Sequence, residues 1–433
     1  MNSLGPIVAI TVRRGERAAS LRLSAAVQRV NMAAGLEILG SETPAVARPA
    51  ITAERDLRLD LFRGIALWLI FLDHIPENIL NWFTIRNYGF SDATEIFIFI
   101  SGYTAAFVYG RAMSERGFLV ASARILRRAW QIYVAHIFLF TIFLAEIAYV
   151  AGTFDNPLYA EEMRILDFLK QPDVTIFEAL ILKFKPVNMD VLPLYIVLLL
   201  LFPPILFVLL WQPALALAGS ALVYVLTWSF DFNLPAYPNG VWFFNPFAWQ
   251  LLFVFGAWCA LGGAQRLSTV LQSRTALAVA IGYLVFSFAI VMTWYVEPLG
   301  RFVPSWLSDW MYPIDKTNLD VLRFAHFLAL ATVTVRFVPR NWPGLKWPIL
   351  QPAIICGQHS LEIFCLGVFL AFAGQFIISE YSGGPLIQVA ISLAGILIMI
   401  GTAKLISWYK VIEGRSPSSR VRQPDADLAG GEA

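Results

Sequence analysis

Leu59-Asp60-Leu61-Phe62-Arg63-Gly64-Ile65-Ala66-Leu67-Trp68-Leu69-Ile70-Phe71-Leu72-Asp73-His74 reads as an apolar helix of membrane-spanning character that carries an arginine and a histidine eleven positions apart. At about 100° per residue, eleven steps make three turns plus roughly 20°, so Arg63 and His74 project from one face, about 16 Å apart along the axis. Ionisable groups are costly within a bilayer and mark a candidate site. His74 is the first candidate for chemistry.

Hydrophobic residues make up 58% of the 433 and charged residues only 14%, with a mean hydropathy of +0.65; soluble domains hold roughly 45–50% apolar and about 25% charged residues. The expected fold is all-α, a polytopic integral membrane bundle. Ten apolar segments of crossing length lie at about 59–75, 95–113, 129–150, 190–211, 213–230, 246–264, 275–296, 319–338, 357–378 and 385–408, with a tight turn at Pro213 separating the fourth from the fifth. Loops carrying Arg111, Arg116, Arg124, Arg127 and Arg128, then Arg266 and Arg274, then Arg336, Arg340 and Lys346 fall on one side. The positive-inside rule makes that side, and both termini, cytoplasmic. Residues 1–55 then form a disordered basic cytoplasmic tail, 56–412 the transmembrane domain and 413–433 a second flexible tail. The connection at about 151–189 is too short for a core of its own, so chemistry is expected from the bundle.

The composition also excludes. A net charge of +2, with no basic stretch interleaved with aromatics, leaves a nucleic-acid partner unsupported. Cys259, Cys356 and Cys365 are too few and too scattered for a disulfide framework or zinc site, and the four histidines lack metal-ligand spacing, so no metal is expected. A glycine-rich phosphate loop and a Gly-x-Ser-x-Gly elbow are absent. Hydropathy shows no matching halves of the kind that mark inverted-repeat transporters.

Polar groups from three helices converge near the level of His74. The second helix opens with Ser91-Asp92-Ala93-Thr94-Glu95, and the eighth with Asp315-Lys316-Thr317-Asn318-Leu319-Asp320, followed by Arg323 and His326. Each has a structural reading beside the functional one. Asp92 and Glu95 have capping-box spacing; Asp60 stands three residues before Arg63, in ion-pair reach; Lys316 and Arg323 have the length to snorkel. His326, and His136 in the third span, are candidates either for chemistry or for a neighbouring carbonyl.

At these residues the chain resembles the OpgC family, within the acyltransferase-3-like superfamily of ten-helix membrane acyltransferases. The superfamily's basic residue, ten intervening residues and histidine are met by Arg63 and His74. More specific are Asp60-Leu61-Phe62-Arg63-Gly64, Asp73-His74-Ile75-Pro76, Arg86-Asn87 and Gly89-Phe90-Ser91-Asp92-Ala93-Thr94-Glu95 continuing to Ser101-Gly102-Tyr103. Trp242-Phe243-Phe244-Asn245-Pro246-Phe247-Ala248-Trp249-Gln250, Asp315-Lys316-Thr317, Leu322-Arg323-Phe324-Ala325-His326 and Gly357-Gln358-His359-Ser360-Leu361-Glu362 extend the likeness over about 55–410.

The resemblance implies an inner-membrane enzyme that transfers succinyl groups to osmoregulated periplasmic glucans. Acyl-CoA would be the co-substrate, with no tightly bound cofactor. On that basis Arg63 positions the donor, His74 acts as general base, and Glu95 or Asp315 orients the imidazole. Ser101, Lys316, Arg323 and His326 are unranked candidates for the oxyanion, Lys316 and Arg323 also for a succinyl carboxylate, and Asp92 for substrate binding. His359 either meets the cofactor's phosphates or caps its helix. Two rival readings are a secondary transporter of an anionic solute using Arg63, His74 and His326, and a non-catalytic scaffold for a glycan synthase.

Overall fold

The computed structural model describes residues 56–76, 78–154, 158–381 and 383–414; the tail expected at 1–55, and the other from 415 on, lie outside the described residues. Long helices carry the fold: α1 Leu57–Asp73, α2 Ala93–Arg116, α3 Phe118–Phe154, α4 Val191–Trp211, α5 Pro213–Phe230, α6 Pro246–Trp258, α7 Arg274–Tyr295, α8 Val321–Phe337, α9 Ser360–Glu380 and α10 Pro385–Ile412. Among the described residues the β structure is an isolated bridge between Pro235 and Val241. Among the described residues eight helices are long and apolar enough to cross a membrane, with α6 counted through its continuation to Arg266. The other two, α1 and α8, have 17 residues each, about 25 Å of rise.

The orientation of side chains supports a multi-pass membrane protein. On α5 the inward stripe is Ala216, Ser220, Tyr224 and Thr227, while Leu215, Leu222 and Val225 point outward, each more than half exposed. Apolar outside and small or polar inside is the pattern lipid selects. The inward groups are satisfied: Ser220 Oγ donates to Gln250 Oε1 at 2.6 Å and Tyr224 OH to the Leu319 carbonyl at 2.8 Å. As expected, Pro213 starts a new helix directly after α4.

Glycines set how closely the inner helices approach. A Cβ on Gly102 of α2 would lie 1.9 Å from the Phe253 carbonyl oxygen of α6, and one on Gly256 would lie 2.3 Å from that of Phe99. Gly64 of α1 and Gly357 of the short helix Gln351–Gln358 make a similar contact, where added Cβ atoms would stand 1.8 Å from the Ala353 and Asp60 carbonyl oxygens. Backbone therefore meets backbone along both seams. Gly102→Leu is expected to abolish a monodisperse peak on size exclusion in detergent. Gly219→Leu, where a Cβ meets nothing within 4 Å, is expected to leave the peak unchanged.

Three expectations need correction. The third helix has 37 residues rather than the 129–150 read from hydropathy, because no proline or glycine interrupts it between Phe118 and Ala151. Arg124, Arg127 and Arg128 thus lie on a helix, as do Arg111 and Arg116 on α2, with only Gly117 between the two helices. The span expected at 357–378 is broken at His359, between Gln351–Gln358 and α9. The connection after α3 folds into short helices Leu158–Glu162, Leu166–Lys170 and Pro172–Leu180, and buries Met163, Ile165, Phe184 and Met189 in the core of the bundle.

Candidate active site

Helix α1 stops at Asp73, and His74 occupies its C-cap with φ −91° and ψ −1°. Its Nδ1 lies 2.5 Å from the Ile70 carbonyl oxygen. A carbonyl oxygen only accepts, so Nδ1 carries the proton and Nε2 keeps its lone pair. No other described residue hydrogen-bonds the ring.

Facing it, the start of α2 is held by the expected capping box. Asp92 Oδ1 accepts from the Thr94 N–H at 2.8 Å, and Glu95 Oε2 accepts from the Asp92 N–H at 2.9 Å. The remaining carboxylate oxygens take one cation from the segment leading into α8 and one from its first turn. Lys316 Nζ is 2.5 Å from Asp92 Oδ2; Arg323 Nη2 is 3.1 Å from that same atom and 2.7 Å from Glu95 Oε1, to which its Nε also donates at 2.9 Å. Two acids meet two bases, with Glu95 wholly buried. Burial pushes the Asp92 carboxyl up, but Lys316 and Arg323 outweigh it and hold it well below the usual carboxylate range.

His74, Asp92, Lys316 and Arg323 share the wall of one cavity of about 990 Å³. This volume lies at the upper end of the roughly 300–1,000 Å³ typical of ligand pockets. Asp73 and Arg86 join the wall beside them. Aromatic rings of Tyr237, Phe243, Trp294 and Tyr295 line another part, and the connection after α3 contributes Arg164, Lys183, Lys185 and Asp190. Lys185 lies over the Trp242 ring, 3.7 Å from its centroid; burial pushes its ammonium down to about 8, with Asp190 pulling it back up. None of these connection residues stands out by motif, because the chain between α3 and α4 carries no local signature of the cavity it covers.

Several sequence candidates stand elsewhere. The carboxylates expected to orient His74 are engaged differently: Asp315 accepts from the Thr317 and Asn318 N–H groups at 2.7 and 3.1 Å, and Glu95 holds Arg323, so a backbone carbonyl takes the orienting place. His326 is behind the wall, where its Nδ1 accepts from the Ser91 N–H at 3.3 Å and lies 2.7 Å from Ser91 Oγ. Its ring also sits where a Cβ on Gly89 would be, 2.0 Å from Nε2. Only a glycine fits there. His326 thereby fixes the Gly89-Phe90-Ser91 wall rather than lining it.

His359 is buried at the break before α9, with Nε2 2.7 Å from Ser407 Oγ and Nδ1 accepting from Lys410 Nζ at 3.0 Å. Both nitrogens already have protein partners on α10, against a role at cofactor phosphates. Arg63 donates to Thr104 Oγ1 at 2.5 Å and to the Ile100 carbonyl at 3.2 Å, joining α1 to α2. Ser101 is buried on α2, and His136 on α3. Neither these two nor Arg63 reaches the cavity, whose wall descends α1 only to Ile70. That is seven residues, about 10 Å, above Arg63.

The chain matches the family model described as OpgC protein over residues 55–411. No curated protein and no solved structure matches it.

Proposed function

The chain belongs to the OpgC family, and from that premise we propose that it is an inner-membrane O-acyltransferase that moves a succinyl group from acyl-CoA to a hydroxyl of a periplasmic glucan. The observation that carries the reading is the bare Nε2 of His74, set by the bond to Ile70 at the wall of a polar cavity. Nε2 takes the proton of the acceptor hydroxyl as its oxygen attacks the thioester carbonyl carbon. Collapse of the tetrahedral intermediate breaks the carbon–sulfur bond, and the imidazolium returns the proton to the departing thiolate. One alcohol and one thioester become one ester and one thiol. Lys316, whose charge bears on His74, would stabilise the oxyanion with the ammonium protons that its bond to Asp92 leaves over. The half-exposed rings of Phe243, Trp294 and Tyr295 offer apolar faces to sugar rings.

In this reading the donor comes from the cytoplasm and the arm of the cofactor passes Arg63. With the cavity ending at Ile70, that route requires α1 and α2 to part at the contact of Arg63 with Thr104. Mass spectrometry of periplasmic glucans from cells with and without the chain tests the reading. The expected result is a succinyl increment present only with the chain. Identical glucans in both strains would refute it.

A further inference from the structure

A succinyl donor presents a second carboxylate three carbon–carbon bonds from the carbonyl that is attacked, and a site selective for it needs a cation to receive that group. Lys316 and Arg323, the pair suggested by sequence, are matched by Asp92 and Glu95. We propose that Arg86 is the receiving cation, holding the free carboxylate of a dicarboxylic acyl chain and making the enzyme selective for such donors. The inference rests on the acyl-transfer reading above.

Four observations carry it. Arg86 lines the same cavity as His74, and its side chain is exposed there. Among the described residues it has no carboxylate within 4 Å and no side-chain hydrogen bond; Asp73, which feels its charge, lies beyond that distance. Its backbone is anchored on both sides, since Thr84 Oγ1 donates to the Asn81 carbonyl at 2.7 Å, and Asn87 donates to that carbonyl at 2.6 Å while accepting from Tyr295 OH at 2.7 Å. The fork is thus presented from a fixed turn, which lowers the cost of ordering it on a ligand.

The other cations of the wall are placed differently. Lys183 is 3.6 Å from Glu178, and Lys185 lies on Trp242 and donates to the Leu182 carbonyl at 3.1 Å. Arg164, like Arg86, is exposed in the cavity without an ion pair among the described residues, but its charge bears on Asp190, whereas Arg86 and Lys316 are the cations whose charge bears on His74. With Lys316 committed to Asp92, Arg86 is the guanidinium left for bidentate capture of a carboxylate near the base.

The test uses the full chain purified in detergent, a glucan acceptor, and two donors: succinyl-CoA and butyryl-CoA, in which a methyl replaces the carboxylate. In Arg86→Gln the ratio of kcat/KM for succinyl over butyryl transfer is expected to fall about 10–100-fold, the range of one charge-assisted hydrogen bond or a pair of them. Arg86→Lys, which keeps charge without the fork, is expected to lie between. Binding is read separately: succinyl-CoA raises the unfolding temperature of the wild type more than butyryl-CoA does, and Arg86→Gln removes the difference. An unchanged donor ratio, or an unchanged difference in thermal protection, overturns the carboxylate site. A wild type that binds succinyl-CoA through Arg86 yet transfers neither acyl group overturns the function proposed above and leaves the site standing.

Discussion

His74→Ala lowers acyl transfer by about 10²–10⁴-fold, the contribution expected of a general base, while the protein remains folded. The prediction separates chemistry from structure because the side chain does little for the fold. His74 sits at the end of α1, partly open to the cavity, and makes one hydrogen bond, to the Ile70 carbonyl. Losing that bond at a site open to water costs about 1 kcal/mol. His74→Gln is the sharper variant. It keeps a polar group of similar reach but cannot take a proton near neutral pH, so its rate falls as far as that of the alanine variant. Because the imidazole acts in the transition state, the loss appears in kcat with little change in KM. Release of coenzyme A thiol by purified protein, with unfolding temperature as control, measures both. A variant that keeps more than about a tenth of the wild-type rate removes His74 from the role of base. A transporter would have no thiol release to lose, which also decides against that rival.

Features set by local spacing were legible in the chain; those set by distant packing were not. The capping box at Asp92 and Glu95 is a three-residue relation, and it forms as its spacing implies. Hydropathy located the apolar helices, yet it cannot tell a helix that ends at the bilayer surface from one that continues past it, which is how α3 came to run through an arginine cluster. The level shared by His74, Asp92, Lys316 and Arg323 follows from where three helices begin or end. The pairing itself does not follow: that Arg323 bridges two acids on α2, 228 and 231 positions away, is a fact of packing. The same holds for Arg86 and for the residues after α3 that complete the cavity. His326 and His359 were misleading for one reason. A buried histidine with two nearby hydrogen-bonding groups has the same sequence appearance whether those groups belong to substrate or to protein, and here Ser91, Ser407 and Lys410 supply them.

Arg323→Met is expected to be severely destabilising and inactive. It strips the cation from Glu95, which is wholly buried, and leaves Asp92 with Lys316 alone. Removing one partner of a buried ion pair costs about 3–5 kcal/mol, because the remaining charge stays desolvated without compensation. A large drop in unfolding temperature and loss of folded protein in detergent are the expected readouts. The remedy follows from the same physics. Removing both charges leaves no desolvated ion without compensation, so the double variant Arg323→Met with Glu95→Gln, whose amide oxygen still accepts from the Asp92 N–H, should melt close to the wild type while Asp92 keeps its bond to Lys316. Activity of that double variant then reports what the pair is for. If transfer returns with stability, Arg323 and Glu95 only hold α2 against α8 so that the Asp92–Lys316 pair stays opposite His74. If the double variant is stable but as inactive as the single one, the guanidinium at the cavity wall touches the substrate, and Arg323 joins His74 in the chemistry.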